Sequence, residues 1–422
     1  MSGKPNKYLS VVTAECSQPL YIISSFRLFF LRSLYDDRLI QYNFGLMQWI
    51  WDDDAIKSKL VTQNVAQLMV SKLKRLTDKS QNVLKVASCL GASFSLSNVS
   101  AVVDNFSSAE TETDCDETMS VSSTSVREFE EEGLWERENL EICRFSHDQI
   151  QSAAFLLIPE AERDTFRGTM GNILMKKLDP DALEESLFEV VSLRNCAISL
   201  MNREERKALA EMNLRAGLKA SDHAAFDTAA VYFKAGRELL GSNAWEEGED
   251  EFNTMLKLCC EEANACYIIG DYDTMNVLIE EVLSKDVPIK DSFKVYEVKI
   301  LAMKANHQFL DAITTALDVR RQLGLSAPPN KPPSTLTVVK EYIKTNRAVK
   351  GRTAEELVAL PELKDERIIM GQRMLELLLA ACYQGQPTLF PLMSFLLVRT
   401  SVKHGINASS CDAFATFGLL LT

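Results

Sequence analysis

The chain has 422 residues, of which 46% are hydrophobic and 25% charged, the composition of soluble globular protein with room for several cores. A net charge of −13 argues against an extended nucleic-acid or anionic-membrane surface, because phosphates would repel it. Ten cysteines occur without any Cys-x-x-Cys pair, so neither zinc spacing nor a disulfide framework is present, and a reducing, cytoplasmic setting is expected.

The first apolar stretch, Leu20 to Leu34, is broken by Arg27 and Arg32. It falls short of the roughly 18 uninterrupted apolar residues that a bilayer demands and reads as a buried helix. From Asn64 to Leu178 the chain reads as short amphipathic helices. Val65, Leu68, Met69, Leu73 and Leu76 fall on one stripe, and Thr77 caps a second helix that Gly91 ends. A third helix is predicted near Ser97–Phe106 and a fourth near Ser125–Gly133. Strands at Leu134–Glu138 and Glu141–Phe145 then turn at Asn139. Helices followed by such a hairpin predict a winged helix. Residues 104–132 hold ten acidic side chains and one basic, and Asp104 to Thr124 is too polar to bury a core, so a mobile surface insertion is expected there.

Beyond residue 200 the pattern becomes repetitive. Ala225–Phe233, Asp271–Ile279 and Gln308–Ala316 align without gaps, with an aromatic at 226, 272 and 309, spacings of 46 and 37. Both spacings exceed the ~34-residue tetratricopeptide period, as longer first helices would require, and each segment is predicted to open the second helix of a pair. Such hairpins bury their apolar faces only by stacking. The proline-rich Ser326–Pro333 denies helical hydrogen bonds and ends that array. Helices resume at Thr335–Lys350, Lys364–Tyr383, Pro387–His404 and Ser409–Leu421. The last is apolar, without the polar outer face of a terminal repeat, and predicts an array cut in its middle.

The fold class expected is mainly α: a winged-helix domain followed by a right-handed tetratricopeptide-like α-solenoid. The expected boundaries are 1–60, 61–178 with the insertion 104–124, 179–325 for the repeats, 326–333 for the linker, and 334–422 for further repeats.

Met69–Leu90, Arg144–Pro159 (RFSHDQIQSAAFLLIP), Leu187–Asn195 and Leu209–Gly236 resemble the predicted-ATPase module of large signalling proteins. In that family a STAND-type, origin-recognition-like AAA ATPase is often preceded by a serine/threonine kinase and followed by GAF and histidine-kinase or cyclase domains. The resemblance covers residues 30–325. It implies that residues 1–60 are part of the ATPase lid, that the winged helix closes over nucleotide, and that the repeats receive a signal from proteins or peptides. ATP and magnesium are then expected in an upstream domain, not in this chain. The family's Gly-Asn-Pro-aromatic turn near adenine has no match at the proper distance; Ser17-Gln18-Pro19-Leu20-Tyr21 stands too far from Ser33–Ile40, residues 1–28 depart from the pattern, and Pro19 is assigned no role.

No Gly-x4-Gly-Lys-Ser/Thr run occurs, and the nearest approach, Lys350-Gly351-Arg352-Thr353, lacks the first glycine and a lysine at the right offset. No serine or cysteine nucleophile signature and no His-x3-His pair is present, so neither a catalytic nor a metal site is expected. His147 and Asp148 are the candidate cofactor-binding residues. They resemble the histidine-aspartate of related switch ATPases, where the histidine contacts a diphosphate. An imidazole N–H can donate to phosphate while Asp148 caps the helix; alternatively, Ser146 or Asp148 simply caps it and His147 packs on the hairpin. The helix that would enter a DNA groove reads Arg127-Glu128-Phe129-Glu130-Glu131-Glu132, which phosphates repel. Two functional readings follow: the sensor part of a signalling ATPase, or a free-standing scaffold that binds partner helices.

Overall fold

A computed structural model describes Tyr35 and residues 38–52, 65–110, 123–329 and 331–421. The expected buried helix at 20–34, Pro19, and the centre of the acidic insertion, 111–122, lie outside the described residues. The chain divides into two compact units, Met1–Asn202 and Arg203–Thr422.

The first unit opens on a hairpin that periodicity did not disclose, β1 (Ile40–Asn43) and β2 (Gln48–Trp51), paired antiparallel. Asn43 Oδ1 accepts from the amides of Gly45 and Leu46 at 2.9 and 3.1 Å and shapes its turn. Tyr42 and Trp49 meet edge-on at 5.3 Å across the strands.

After α1 (Val65–Leu73), Thr77 caps α2 (Asp78–Leu90), its hydroxyl accepting from the Ser80 amide at 3.2 Å. Val83, Leu84, Val86, Ala87 and Leu90 of α2 are buried. Gly91 then turns the chain into β3 (Ser93–Ser95), a strand too short to show period-two alternation. Next come α3 (Leu96–Glu110) and α4 (Ser123–Glu131), so the first residues of the expected insertion, 104–110, are helical. β4 (Trp135–Arg137) and β5 (Ile142–Phe145) complete a three-stranded antiparallel sheet of order β3-β5-β4. Asn139 makes the turn between β4 and β5 by accepting from the Glu141 and Ile142 amides at 2.9 and 2.7 Å. Phe94, Phe129 and Phe145 surround Trp135 with ring centroids 4.9, 4.6 and 6.1 Å away, fastening all three strands to α4.

α5 (Asp148–Leu156) and α6 (Arg163–Lys177) follow, then α7 (Pro180–Glu185) and α8 (Leu187–Asn195). Residues 179–202, expected among the repeats, belong to this first unit. The cause is a glycine notch in α6. A methyl at Gly168 would lie 2.4 Å from Ala197 Cβ, and one at Gly171 2.7 Å from Arg194 Cγ, so α8 and the turn after it seat directly on the α6 backbone.

Asn98 of α3 donates to Glu189 of α8 at 3.0 Å and to Ser186 at 3.1 Å. Burial raises the Glu189 carboxyl above its ordinary 4.5, the Asn98 bond only partly opposing this. The folded protein therefore holds that proton more tightly than the unfolded chain, and stability falls as pH rises from about 4.5 through the raised value. Glu189→Gln is expected to raise stability at neutral pH, and the gain to vanish as pH falls toward 4.5, in urea melts across pH.

The second unit is an array of antiparallel helical pairs: α9 (Arg203–Asp222) with α10 (Phe226–Leu240), α11 (Glu249–Ile269) with α12 (Tyr272–Leu283), and α13 (Phe293–Ala305) with α14 (Phe309–Gln322). Each second helix starts at its repeat aromatic, Phe226, Tyr272 or Phe309. All three inter-helix turns share one geometry. Two residues before each aromatic the backbone is left-handed, at Ala224 (φ 57°), Gly270 (φ 85°) and His307 (φ 59°). The next amide returns to the carbonyl five residues earlier: Ala225 to Ala220 at 2.9 Å, Asp271 to Cys266 at 2.9 Å, Gln308 to Met303 at 2.8 Å. Only Gly270 takes that conformation without steric penalty. Ala224→Gly and His307→Gly are therefore each expected to stabilise by roughly 1 kcal/mol, and Gly270→Ala to destabilise by as much, in denaturant titrations.

α15 (Thr335–Val349) and the short α16 (Ala354–Val358) form an insertion rather than the next repeat. The fourth pair is α17 (Glu366–Gly385) with α18 (Phe390–His404), and α19 (Ser409–Leu421) follows as another first helix against α17 and α18.

Candidate functional site

His147 stands where β5 gives way to α5, half-buried, with extended backbone (φ −160°, ψ 143°). It is itself the helix cap, the role expected of Ser146 or Asp148. Its Nδ1 accepts from the Gln149 amide at 3.1 Å, which puts the ring hydrogen on Nε2 as a donor. Asp148, exposed, occupies the first helical turn, where its charge favours the positive end of the helix. The sequence thus located the right junction and misassigned the cap, because histidine is an uncommon N-cap and the residues flanking it are common ones. His147→Ala is expected to cost about 1 kcal/mol through the lost cap, whereas His147→Asn keeps an acceptor and costs a few tenths, measured by thermal melts.

α4 carries Glu128, Glu130 and Glu131 with Arg127, and Arg137 of β4 pairs with Glu130 at 2.9 Å, so this helix presents mainly carboxylates. Lys350-Gly351-Arg352-Thr353 forms a turn, with Gly351 at φ 82° and Thr353 in a reciprocal capping box with Glu356 that opens α16. Thr353 thus serves a helix start.

In the second unit a cleft of about 260 Å³ lies between the starts of α9 and α11, lined by Glu204, Lys207, Glu211, Asp250, Glu251 and Thr254. Lys207 is bound to Glu251, whose carboxyl it holds below the ordinary range, and to Glu204 at 3.4 Å. Four carboxylates around one committed ammonium repel a triphosphate, so these residues do not fit ATP.

Neighbouring first helices are joined by a ladder of polar contacts: Lys207 to Glu251, Lys294 to Glu261, Arg373 to Glu297 at 2.7 Å, and Ser409 to Glu376. Solvent screens the ion pairs of this ladder, so together these contacts set register more than stability. Behind the ladder, Arg237 of α10 donates to Glu262 of α11 at 2.9 Å, the carboxylate being buried.

Burial raises the thiols: Cys89 and Cys266 to about 11, Cys260 and Cys382 to about 12, and Cys259 higher still. Thiols so raised stay protonated and are poor nucleophiles. His223, His307 and His404 stand apart in the sequence, and among the described residues no group of three or more His, Cys, Asp or Glu side chains gathers as a metal-ligand set. Among the described residues, too, no helix is long and apolar enough to cross a membrane.

No family model matches the chain. It is similar to the hybrid signal transduction histidine kinase G of Dictyostelium discoideum, 22% identical over 94% of this chain. The chain spans 13% of that relative's length. Among solved structures it is similar to a Signal Transduction ATPase with Numerous Domains (STAND) protein with a tetratricopeptide repeat sensor from Pyrococcus horikoshii. The two are 14% identical over 84% of this chain and 55% of that one, with a TM-score of 0.29, too low to equate their parts.

Proposed function

We propose that this chain is the sensor and relay segment of a longer signal-transduction polypeptide. The helical pairs of the second unit receive a protein or peptide partner. The first unit acts as a winged helix, a reading that its helix-strand-helix-helix-strand-strand order supports, and relays the nucleotide state of a STAND-type AAA ATPase segment to a kinase or cyclase output. The observation that carries this reading is the likeness to a hybrid signal transduction histidine kinase along 94% of this chain, which spans 13% of that relative. Hydrolysis is assigned elsewhere because no phosphate-binding loop occurs in the sequence and the cleft between α9 and α11 is lined with carboxylates. His147 is the residue proposed to meet a bound nucleotide, through its Nε2 hydrogen, when the upstream segment holds one.

Sequencing of complete transcripts tests this reading. An in-frame Gly-x4-Gly-Lys-Ser/Thr upstream is the expected result. A message that starts at Met1 and stops after Thr422 would instead assign the chain to the second reading, a free-standing repeat scaffold that engages partner helices without nucleotide control.

A further inference from the structure

We propose that the outward face of α15 is a docking strip for an acidic amphipathic helix of a partner protein. The inward face of this helix is firmly held. Tyr342 packs against Phe395 of α18 with centroids 6.0 Å apart, and Arg399 of α18 donates to the Glu341 carbonyl at 3.2 Å, to Thr345 Oγ1 at 3.1 Å and to the Glu341 carboxylate at 2.7 Å. Those contacts fix which side turns outward. On that side Leu336, Val339 and Ile343 are 82%, 48% and 42% exposed, at the i, i+3, i+7 spacing of one helical stripe. An apolar stripe of this kind normally faces a core or a partner.

Charge selects the partner. Residues 331–352 contain six basic side chains and one acidic, a net +5 within a chain of −13. At about 100° per residue the three apolar positions occupy an arc of roughly 60°, and Lys340, Lys344 and Arg347 follow it on one flank only. Lys340 and Arg347 are exposed, and Lys344 is shared with Glu341 at 2.6 Å. The opposite flank, Thr335 and Asn346, is uncharged. One apolar seam with one basic edge matches a single helix laid alongside, its own seam apolar and its facing edge carrying Asp or Glu. An anionic bilayer fits less well. It would approach the whole net-negative surface, whereas a helix meets only charges within a Debye length of about 8 Å. The proposal stands whether or not the chain belongs to a longer polypeptide.

Isothermal titration of the full chain with a synthetic four-turn peptide, leucine along one stripe and glutamate along one edge, tests it beside a twin with lysine for glutamate. The expected result is saturable binding of the glutamate peptide alone. Affinity should fall about tenfold or more in V339S/I343S and in K340E/R347E, and weaken with salt. All four positions are at the surface, and circular dichroism melts confirm that the variants fold. Equal binding of the twins, no binding, or affinity untouched by the substitutions would overturn the proposal. Failure of the peptide to bind while the same substitutions abolish sedimentation with phosphatidylserine vesicles would assign the strip to a membrane instead.

Discussion

Phe233→Ala is expected to destabilise the second unit by about 3–5 kcal/mol, the cost of emptying a fully enclosed aromatic site. Phe233 is completely buried on α10, and its ring lies directly over Gly217 of α9, where an added methyl would come within 2.3 Å of Cε1. The contact is reciprocal: a methyl at Gly236 of α10 would approach the Ala210 carbonyl of α9 to 3.2 Å. The first pair is thus a close backbone approach with one large ring filling the space between, and the surrounding helices have little freedom to collapse into the void. Gly217→Ala should cost about 1–3 kcal/mol by overpacking, and Phe233→Leu should recover part of that loss when combined with it. Urea melts of the single and double variants measure the coupling. Strict additivity would show that ring and glycine do not share one space.

Arg320→Ala is expected to cost a comparable 3 kcal/mol or more, because it removes a charge-assisted clasp on two carbonyls and opens a cavity in the core. Arg320 lies on α14 at 2% exposure, donating from Nε to the Ser326 carbonyl at 2.7 Å and from Nη1 to the Gly371 carbonyl of α17. It therefore fastens the start of the proline-rich linker and the fourth pair to the third. Burial pulls its pKa down to about 10, which still leaves it charged at neutral pH. Because the folded value lies below the unfolded one, this burial penalty is fully present at neutral pH and is relieved only as pH rises above about 10. Arg320→Met removes the charge while keeping most of the volume, and should lose less than the alanine variant. Arg320→Lys keeps charge but cannot fork to two carbonyls, and should resemble alanine. Chemical denaturation of the three variants gives the order directly.

Local signals were legible and long-range ones were not. The aromatics at 226, 272 and 309 marked the starts of three second helices because apolar periodicity restarts there. The turns before them were readable only at Gly270; Ala224 and His307 adopt the same left-handed backbone against their own preference, held by the flanking helices. β3 escaped notice because three residues show no alternation, and the sheet it completes depends on pairing with β5 some fifty residues away. The boundary near 202 was displaced because the fit of α8 on Gly168 and Gly171 is a surface match between segments, invisible to periodicity. At the candidate site the junction at His147 was legible from the motif, while its capping role needed the backbone angle. The Arg320 clasp joins residues 51 positions apart and left no local trace.

Under the proposed function, phosphate chemistry lies outside this polypeptide. Titration of magnesium-ATP into the 422-residue chain, with phosphate release followed in the same samples, tests that claim most directly. No saturable heat and no released phosphate are the predicted results; one-to-one binding accompanied by turnover would contradict the account.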